Sequence, residues 1–353
     1  MKDLLVVAGS YERLLYGLVS NISNQDDQLS ASALEPDFIF PAHISCIKAV
    51  ACNHRFLASG STDELVKIYD LKLKKEIGNL LHHSGAVTCL QFFRKSHLIT
   101  ASEDGTISLI RTSDWEVLKT LTGHKYSVNS LDVHPSGKAM LSVGKEGTLK
   151  CWDLERGLCA YSMKLPAPAE LVKWSDDGSK YAILMDRIVQ VNQLEKGKTV
   201  GEITSSVRVN SILFTTFYNE SVLLLGFENA TIGIYSLDGN KILSWNTHDG
   251  SRVKSMDIYT DDDLQILVNI SSNGKVNLWN LLSIKESQTP IVSFDTKSRL
   301  TSVMITSHLK CVKKETKVAD EYVSELEEEP VKRQRIQVTM HDASLKKKSL
   351  KKK

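Results

Sequence analysis

Three stretches of the sequence set the same polar residues in the same order. His43, Ser59 and Asp63 form one set, and His83, Thr100 and Asp104 a second. His124, Ser142 and Glu146 form the third, with Trp152 six residues beyond its acid. A histidine, a hydroxyl and a carboxylate are the parts of a nucleophilic triad, in which the imidazole takes the hydroxyl proton and the acid orients the ring. A reactive centre is built once per site, however, whereas this arrangement recurs along the chain. Recurrence points to a structural hydrogen-bond network, one per repeated unit, that holds only when every buried member is satisfied. Other chemistry is missing. The six cysteines (Cys46, Cys52, Cys89, Cys151, Cys159 and Cys311) include no Cys-x-x-Cys pair, and no Cys/His cluster has metal-ligand spacing. The Gly-x-x-x-x-Gly-Lys-Ser/Thr, Gly-x-Gly-x-x-Gly, His-Glu-x-x-His and Gly-x-Ser-x-Gly motifs are absent. The expectation is a non-enzyme without catalytic residues, cofactor, metal or small-molecule substrate.

The elements that carry these residues repeat as well. Short apolar runs end in an aromatic residue or its substitute, a polar residue and then usually leucine. Examples are Ile68-Tyr69-Asp70-Leu71, Cys151-Trp152-Asp153-Leu154, Ile234-Tyr235-Ser236-Leu237 and Leu278-Trp279-Asn280-Leu281. Six residues before the aromatic position stand Asp63, Asp104, Glu146, Asp186, Asn229 and Asn273, at separations of 41, 42, 40, 43 and 44. Ser59, Thr100, Ser142 and Asn269 lie four residues earlier again, and His43, His83, His124 and, more loosely, His248 lie upstream. Period-2 alternation in Val66-Lys67-Ile68-Tyr69 and turn residues in His134-Pro135-Ser136-Gly137-Lys138 mark each unit as about four short strands. One four-stranded sheet cannot bury both faces, so the units must stack on one another.

These residues resemble the WD40 family, whose units of about 40–45 residues form the four-stranded blades of a propeller. The family marks are Gly123-His124 and Trp152-Asp153; the five other units depart at one or both marks. The resemblance implies an all-β, seven-bladed propeller over residues 1–306. In that family the recurring set is a buried chain from the turn acid through His and Ser/Thr to the Trp ring. With Ile110 in the tryptophan position, the second unit's chain should end at Thr100. Glu146, where the family has aspartate, should reach one methylene further.

Six full units cover about residues 43–294. Ala8 to Leu15 align with Ser59 to Val66 as second and third strands, Phe38-Ile39-Phe40 supply a fourth, and Leu300 to Ile305 the missing first. A seventh blade of three N-terminal strands and one C-terminal strand closes the ring and removes two exposed edges. Residues 21–34 read as a polar loop insertion in it.

The chain of 353 residues is 42% hydrophobic and 24% charged, ordinary for a globular protein. No uncharged apolar run reaches the ~18 residues of a membrane span, the N-terminal apolar run is too short for a signal peptide, and the cysteine usage suits a reducing compartment. A net charge of +2 conceals a gradient: residues 309–353 hold 13 basic and 8 acidic residues, a net of +5, leaving −3 for the rest. A disordered acidic and basic tail is expected over 307–353. Its Lys332, Arg333, Arg335, Lys346, Lys347, Lys348, Lys351, Lys352 and Lys353 suit nuclear or nucleolar targeting and salt-sensitive contact with RNA phosphates.

A closer likeness rests on Leu81-His82-His83-Ser84-Gly85, Val7-Ala8-Gly9-Ser10-Tyr11-Glu12 and Arg299-Leu300-Thr301. These resemble the p21-activated-kinase-interacting branch of the WD-repeat family. That resemblance implies a scaffold in nucleolar assembly of the large (60S) ribosomal subunit and rRNA maturation, and a negative regulator of a p21-activated kinase. The implied partners are ribosome assembly factors, pre-60S particles, rRNA through the tail, and the kinase; no membrane is among them. The implied locations are nucleus and nucleolus, with a cytoplasmic fraction. The alternatives are a signalling scaffold that regulates only a kinase, or a ubiquitin-ligase substrate receptor. The second is disfavoured because Trp152-Asp153-Leu154-Glu155 lacks the arginine such receptors often carry.

Overall fold

The computed structural model describes residues 2–25, 28–194, 197–261, 264–285 and 288–308. It is a ring of seven antiparallel sheets. Blade 1 holds the strands Ile47–Cys52, Phe56–Ser61, Val66–Asp70 and Lys75–Leu80. Blade 2 spans Val87–Phe93 to Val117–Thr122, blade 3 Val128–Val133 to Leu158–Lys164, and blade 4 Leu171–Trp174 to Thr199–Thr204. Blade 5 runs from Val209–Phe217 to Lys241–Asn246, and blade 6 from Val253–Asp261 to Val292–Asp295. The one helix among the described residues is a 3-10 turn, Leu281–Ser283, before the last strand of blade 6.

Blade 7 is composite. Leu300–Ser307 pairs with Lys2–Ser10, which pairs with Leu14–Gln25, which pairs with Glu35–Pro41. The expected closure is therefore present, with Val6 opposite Ile305 across the chain termini. Residues 21–34 differ from expectation. Leu14–Gln25 runs on past the blade and forms a hairpin with Gln28–Ala31, Ile22 facing Ala31. The cause is apolar residues set within the polar stretch: Ile22 and Leu34 are 1% and 4% exposed and pack with Leu264 and Ile266 of blade 6. The strand period that buries Leu18 thus continues to Ile22, and the hairpin supplies partners for its backbone.

The core lies between blades. Seven apolar clusters fill the seven junctions, for example Ile99, Val128, Met140 and Trp152 between blades 2 and 3. Leu4, Val6 and Ala8 pack toward blade 6, while Leu5 and Val7 pack toward blade 1. Alternate residues of one N-terminal strand therefore serve two junctions. The first strands of adjacent blades touch all the way round and line a central channel. The tail residues named above lie outside the described residues.

Candidate functional site

In blade 3 the polar set is complete. His124 enters from the loop between blades 2 and 3, Ser142 sits on strand Ala139–Gly144, and Trp152 on strand Thr148–Asp153. His124 Nδ1 lies 2.5 Å from Glu146 Oε1 and its Nε2 lies 2.7 Å from Ser142 Oγ. Trp152 Nε1 donates to the same Oγ at 2.8 Å. Burial lowers the His124 pKa against the opposing pull of Glu146, so the ring is neutral. The network then assigns one proton order: the indole donates to serine, serine to Nε2, and Nδ1–H to the carboxylate. Glycines make room for this. A Cβ on Gly123 would stand 3.0 Å from the Trp152 ring, and one on Gly144 would overlap Glu146 and His124.

A hydrolytic triad leaves its serine oxygen free to attack an acyl carbon. Here the Ser142 oxygen accepts the indole N–H and is fully buried, as is Ser59. No substrate carbonyl can approach either hydroxyl. Among the described residues, no group of three or more His, Cys, Asp and Glu could hold a metal ion.

Blade 1 repeats the geometry. His43 Nδ1 lies 3.0 Å from Asp63 Oδ2, and Nε2 lies 2.8 Å from Ser59 Oγ. The Tyr69 hydroxyl stands in the tryptophan position but closes no hydrogen bond. Asp63 also accepts the backbone N–H groups of Ile44 and Leu65, which pins the turn. Asp104 does the same with Ser84 and Thr106 in blade 2. Glu146 takes His124 and the Thr148 hydroxyl, but among the described residues the only backbone N–H near its carboxylate is its own, and its Oε2 has no partner. The longer acid reaches the histidine and overshoots the turn.

Blade 2 departs from expectation. Thr100 Oγ1 lies 2.8 Å from His83 Nε2 and 2.9 Å from His82 Nε2. The chain does not end at the threonine. One hydroxyl has one proton, so if it donates to His83, His82 must donate to it. His82 thus fills the role that the indole N–H plays in blade 3. Burial, with repulsion from His83, pushes the His82 pKa down to about 4, which keeps it neutral.

Blades 4 and 5 have no trio: Asp186 is a surface residue paired with Arg187 and Arg208, and Asn229 accepts from Thr231. In blade 6, Asn269 accepts the Trp279 indole at 2.6 Å. His248 is not its partner; it occupies a left-handed turn at φ 58. The neighbouring Asp249, with its side chain 3% exposed, accepts from Ser271 and Asn277 instead. Sequence reading missed His82, Asp249 and the threonines two residues after the acid, Thr106 and Thr148. The last had a visible signal, since Thr231 repeats the offset in blade 5.

Comparison with known proteins agrees with this geometry. The WD domain, G-beta repeat family model matches residues 34–70, 74–111 and 115–153, the stretches that contain the three His, hydroxyl and acid sets. The chain is 36% identical over 302 residues to a p21-activated protein kinase-interacting protein 1-like protein of Danio rerio, across 85% of this chain and 80% of that one. It is 32% identical to p21-activated protein kinase-interacting protein 1 of Homo sapiens, across 84% and 75%. Protein MAK11 of Saccharomyces cerevisiae is 29% identical, across 84% and 81%. A seven-bladed ring whose recurrent polar sets are internal fasteners, aligned over this much of its relatives, is a WD-repeat scaffold, and the chain belongs to the family of p21-activated protein kinase-interacting protein 1.

Proposed function

We propose that the ring is a non-catalytic platform in nucleolar assembly of the large ribosomal subunit and maturation of its RNA. We propose also that it binds and restrains a p21-activated kinase. The observation that carries this reading is the alignment of 85% of the chain with proteins named for kinase interaction, and of 84% with MAK11. The burial of the only recurrent reactive-looking residues supports a role without chemistry. The net charge of +5 over residues 309–353 supports nucleolar retention and electrostatic contact with rRNA. On this reading the partners are assembly factors and pre-ribosomal particles, and the protein resides in nucleus and nucleolus with a cytoplasmic pool for the kinase.

Gradient sedimentation of cell extract tests it. Co-migration with large-subunit precursors, lost on deleting residues 332–353 or on raising salt, supports the ribosomal role. Migration only as a free protein refutes that role. Kinase pull-down from the same fractions tests the second.

A further inference from the structure

One position on the channel wall breaks the pattern of the ring. The first strand of every blade but the fourth carries a one-residue bulge near its start, at Ile47/Ala49, Val128/Ser130, Val209/Ser211 and Val253/Ser255 among others. The extra residue is Thr88, Asn129, Asn210 and Thr301 in blades 2, 3, 5 and 7. In all four, its side chain reaches the next blade and donates to a first-strand or loop carbonyl. Thr88 bonds Val128 at 2.6 Å, Asn129 bonds Ala169 at 2.8 Å, Asn210 bonds Val253 at 3.0 Å and Thr301 bonds Ile47 at 2.6 Å. In blades 1 and 6 the same position holds Lys48 and Lys254, which make no such bond. The ring gives up two of its fasteners there, one on either side of blade 7.

Both lysines face a cavity of about 810 Å³ at the channel mouth, whose rim adds Arg13, Arg252 and Arg299. Glu12 is the one acid in its lining, and it is held by the backbone N–H of Arg299. Arg252 bonds Ser272 and lies 4.0 Å from Glu228. Among the described residues Arg13, Lys48, Lys254 and Arg299 have no carboxylate partner. Burial and the nearby Arg252, Lys48 and Arg208 charges lower the Lys254 pKa, with Glu170 pulling against them less strongly.

We propose that this funnel binds an acidic peptide segment of a partner protein, its carboxylate or phosphoserine groups meeting Lys48 and Lys254 and the rim arginines. Charge complementarity selects an anion. Ile44, 80% exposed on the lining, offers an apolar neighbour that a peptide can use. Single-stranded RNA is recognised by stacking its bases on open aromatic faces. The lining holds one aromatic ring, Tyr11, which is 57% exposed and carries the Arg299 guanidinium 5.1 Å from its centroid, so it offers a single stacking platform and no row of them. The inference stands apart from the ribosomal and kinase readings, since a partner from either setting could carry such a segment.

The double variant Lys48→Thr/Lys254→Asn tests it in the full chain, because it installs the side chains other blades use as fasteners and so preserves the fold. The probe is a short fluorescent peptide of repeating Glu-Asp-Leu, read by anisotropy, with a copy carrying phosphoserine in place of aspartate. The C-terminal lysines are common to every variant, so the difference isolates the funnel. Affinity should fall about tenfold or more in the double variant, while Lys125→Ala/Lys145→Ala, on blade 3's side of the ring, should stay within about twofold. Bound peptide should also slow alkylation of Cys46, which lines the funnel, and leave exposed Cys159 unaffected. The tighter of the two peptides identifies the anion as carboxylate or phosphate. Equal affinity in the double variant, unprotected Cys46, or stronger protection by oligouridylate than by either peptide would each overturn the proposal.

Discussion

Ser142 is the centre of the blade 3 network, and its replacement should expose how the trios act. Ser142→Ala leaves two buried groups without a partner, the Trp152 indole N–H and His124 Nε2. An orphaned buried polar group costs about 1–3 kcal/mol, so the variant should lose about 2–6 kcal/mol. Scaled by the unfolding entropy of a ring of this size, about 1.5 °C per kcal/mol, the midpoint should fall by about 3–9 °C. Ser59→Ala provides a calibration inside the same molecule. Tyr69 makes no hydrogen bond in blade 1, so only His43 Nε2 is orphaned, and the loss should be smaller by about 1–2 kcal/mol. The sharper test is the cycle with Trp152→Phe, which removes the indole donor. In that background Ser142→Ala should cost about 1–2 kcal/mol less than in the native ring. Urea and thermal melts followed by tryptophan fluorescence and circular dichroism measure all five proteins. A Ser142→Ala shift below about 1 °C would show that the trio carries no stability, and the same cost in both backgrounds would show that the indole bond is no part of it.

Glu146→Asp should raise stability by about 0.5–1.5 kcal/mol, because the shorter acid can accept the turn N–H groups that Asp63 and Asp104 accept; a lowered midpoint would contradict the overshoot. The histidines set an acid limit. His43, His82, His83 and His124 all have folded pKa values below the ordinary 6.5, so the unfolded chain binds protons that the ring cannot. Their stabilisation is complete above pH 6.5 and is lost as pH falls below it, for His82 down to about 4, a loss that solvent screening of its partly exposed ring holds to about 1–2 kcal/mol. His82→Gln keeps an N–H donor for Thr100 without titrating, and should flatten this acid limb in melts at stepped pH; an unchanged limb refutes the assignment. Removing residues 1–20 takes away the strand whose Leu4 to Ala8 side chains are at most 2% exposed. At about 1.5–3 kcal/mol per buried apolar side chain, that loss rivals the whole stability of a typical domain, so the truncated chain should be insoluble or readily proteolysed. A native-like melt would refute the closure.

How much of this was legible follows from where repetition is strict. The seven blades and the split seventh blade could be read from offsets, because a blade needs the same turn and the same buried alternation wherever it stands. The hairpin at residues 21–34 was not, since its two informative residues, Ile22 and Leu34, are isolated in polar sequence and acquire meaning only against blade 6. His82 escaped for a related reason. Its role as donor exists only because Ile110 vacates the tryptophan position, and His82 lies in the loop entering the blade, remote in sequence from the strand Thr106–Arg111 that carries Ile110. Asp249 escaped because a histidine one residue earlier matched the expected type, while the backbone turn at His248 presents the next side chain to the core.

The same logic separates stability from recognition in this ring. A residue that recurs at one offset in several blades is explained by the junction it serves, and needs no partner molecule. Thr88, Asn129, Asn210 and Thr301 are of that kind, each closing a bond to the next blade. Lys48 and Lys254 occupy the same bulge, lack that bond and stand among like charges, and burial with those charges disfavours the charged form of Lys254 in the free protein. If they serve no ligand, Lys48→Thr/Lys254→Asn should raise stability with no loss of any binding. If they serve one, the same variant should melt higher and bind worse, the usual opposition between a rigid fold and a site that keeps its charges unpaired. Measuring both quantities on one protein therefore distinguishes a flaw in the repeat from a site built at the cost of the repeat.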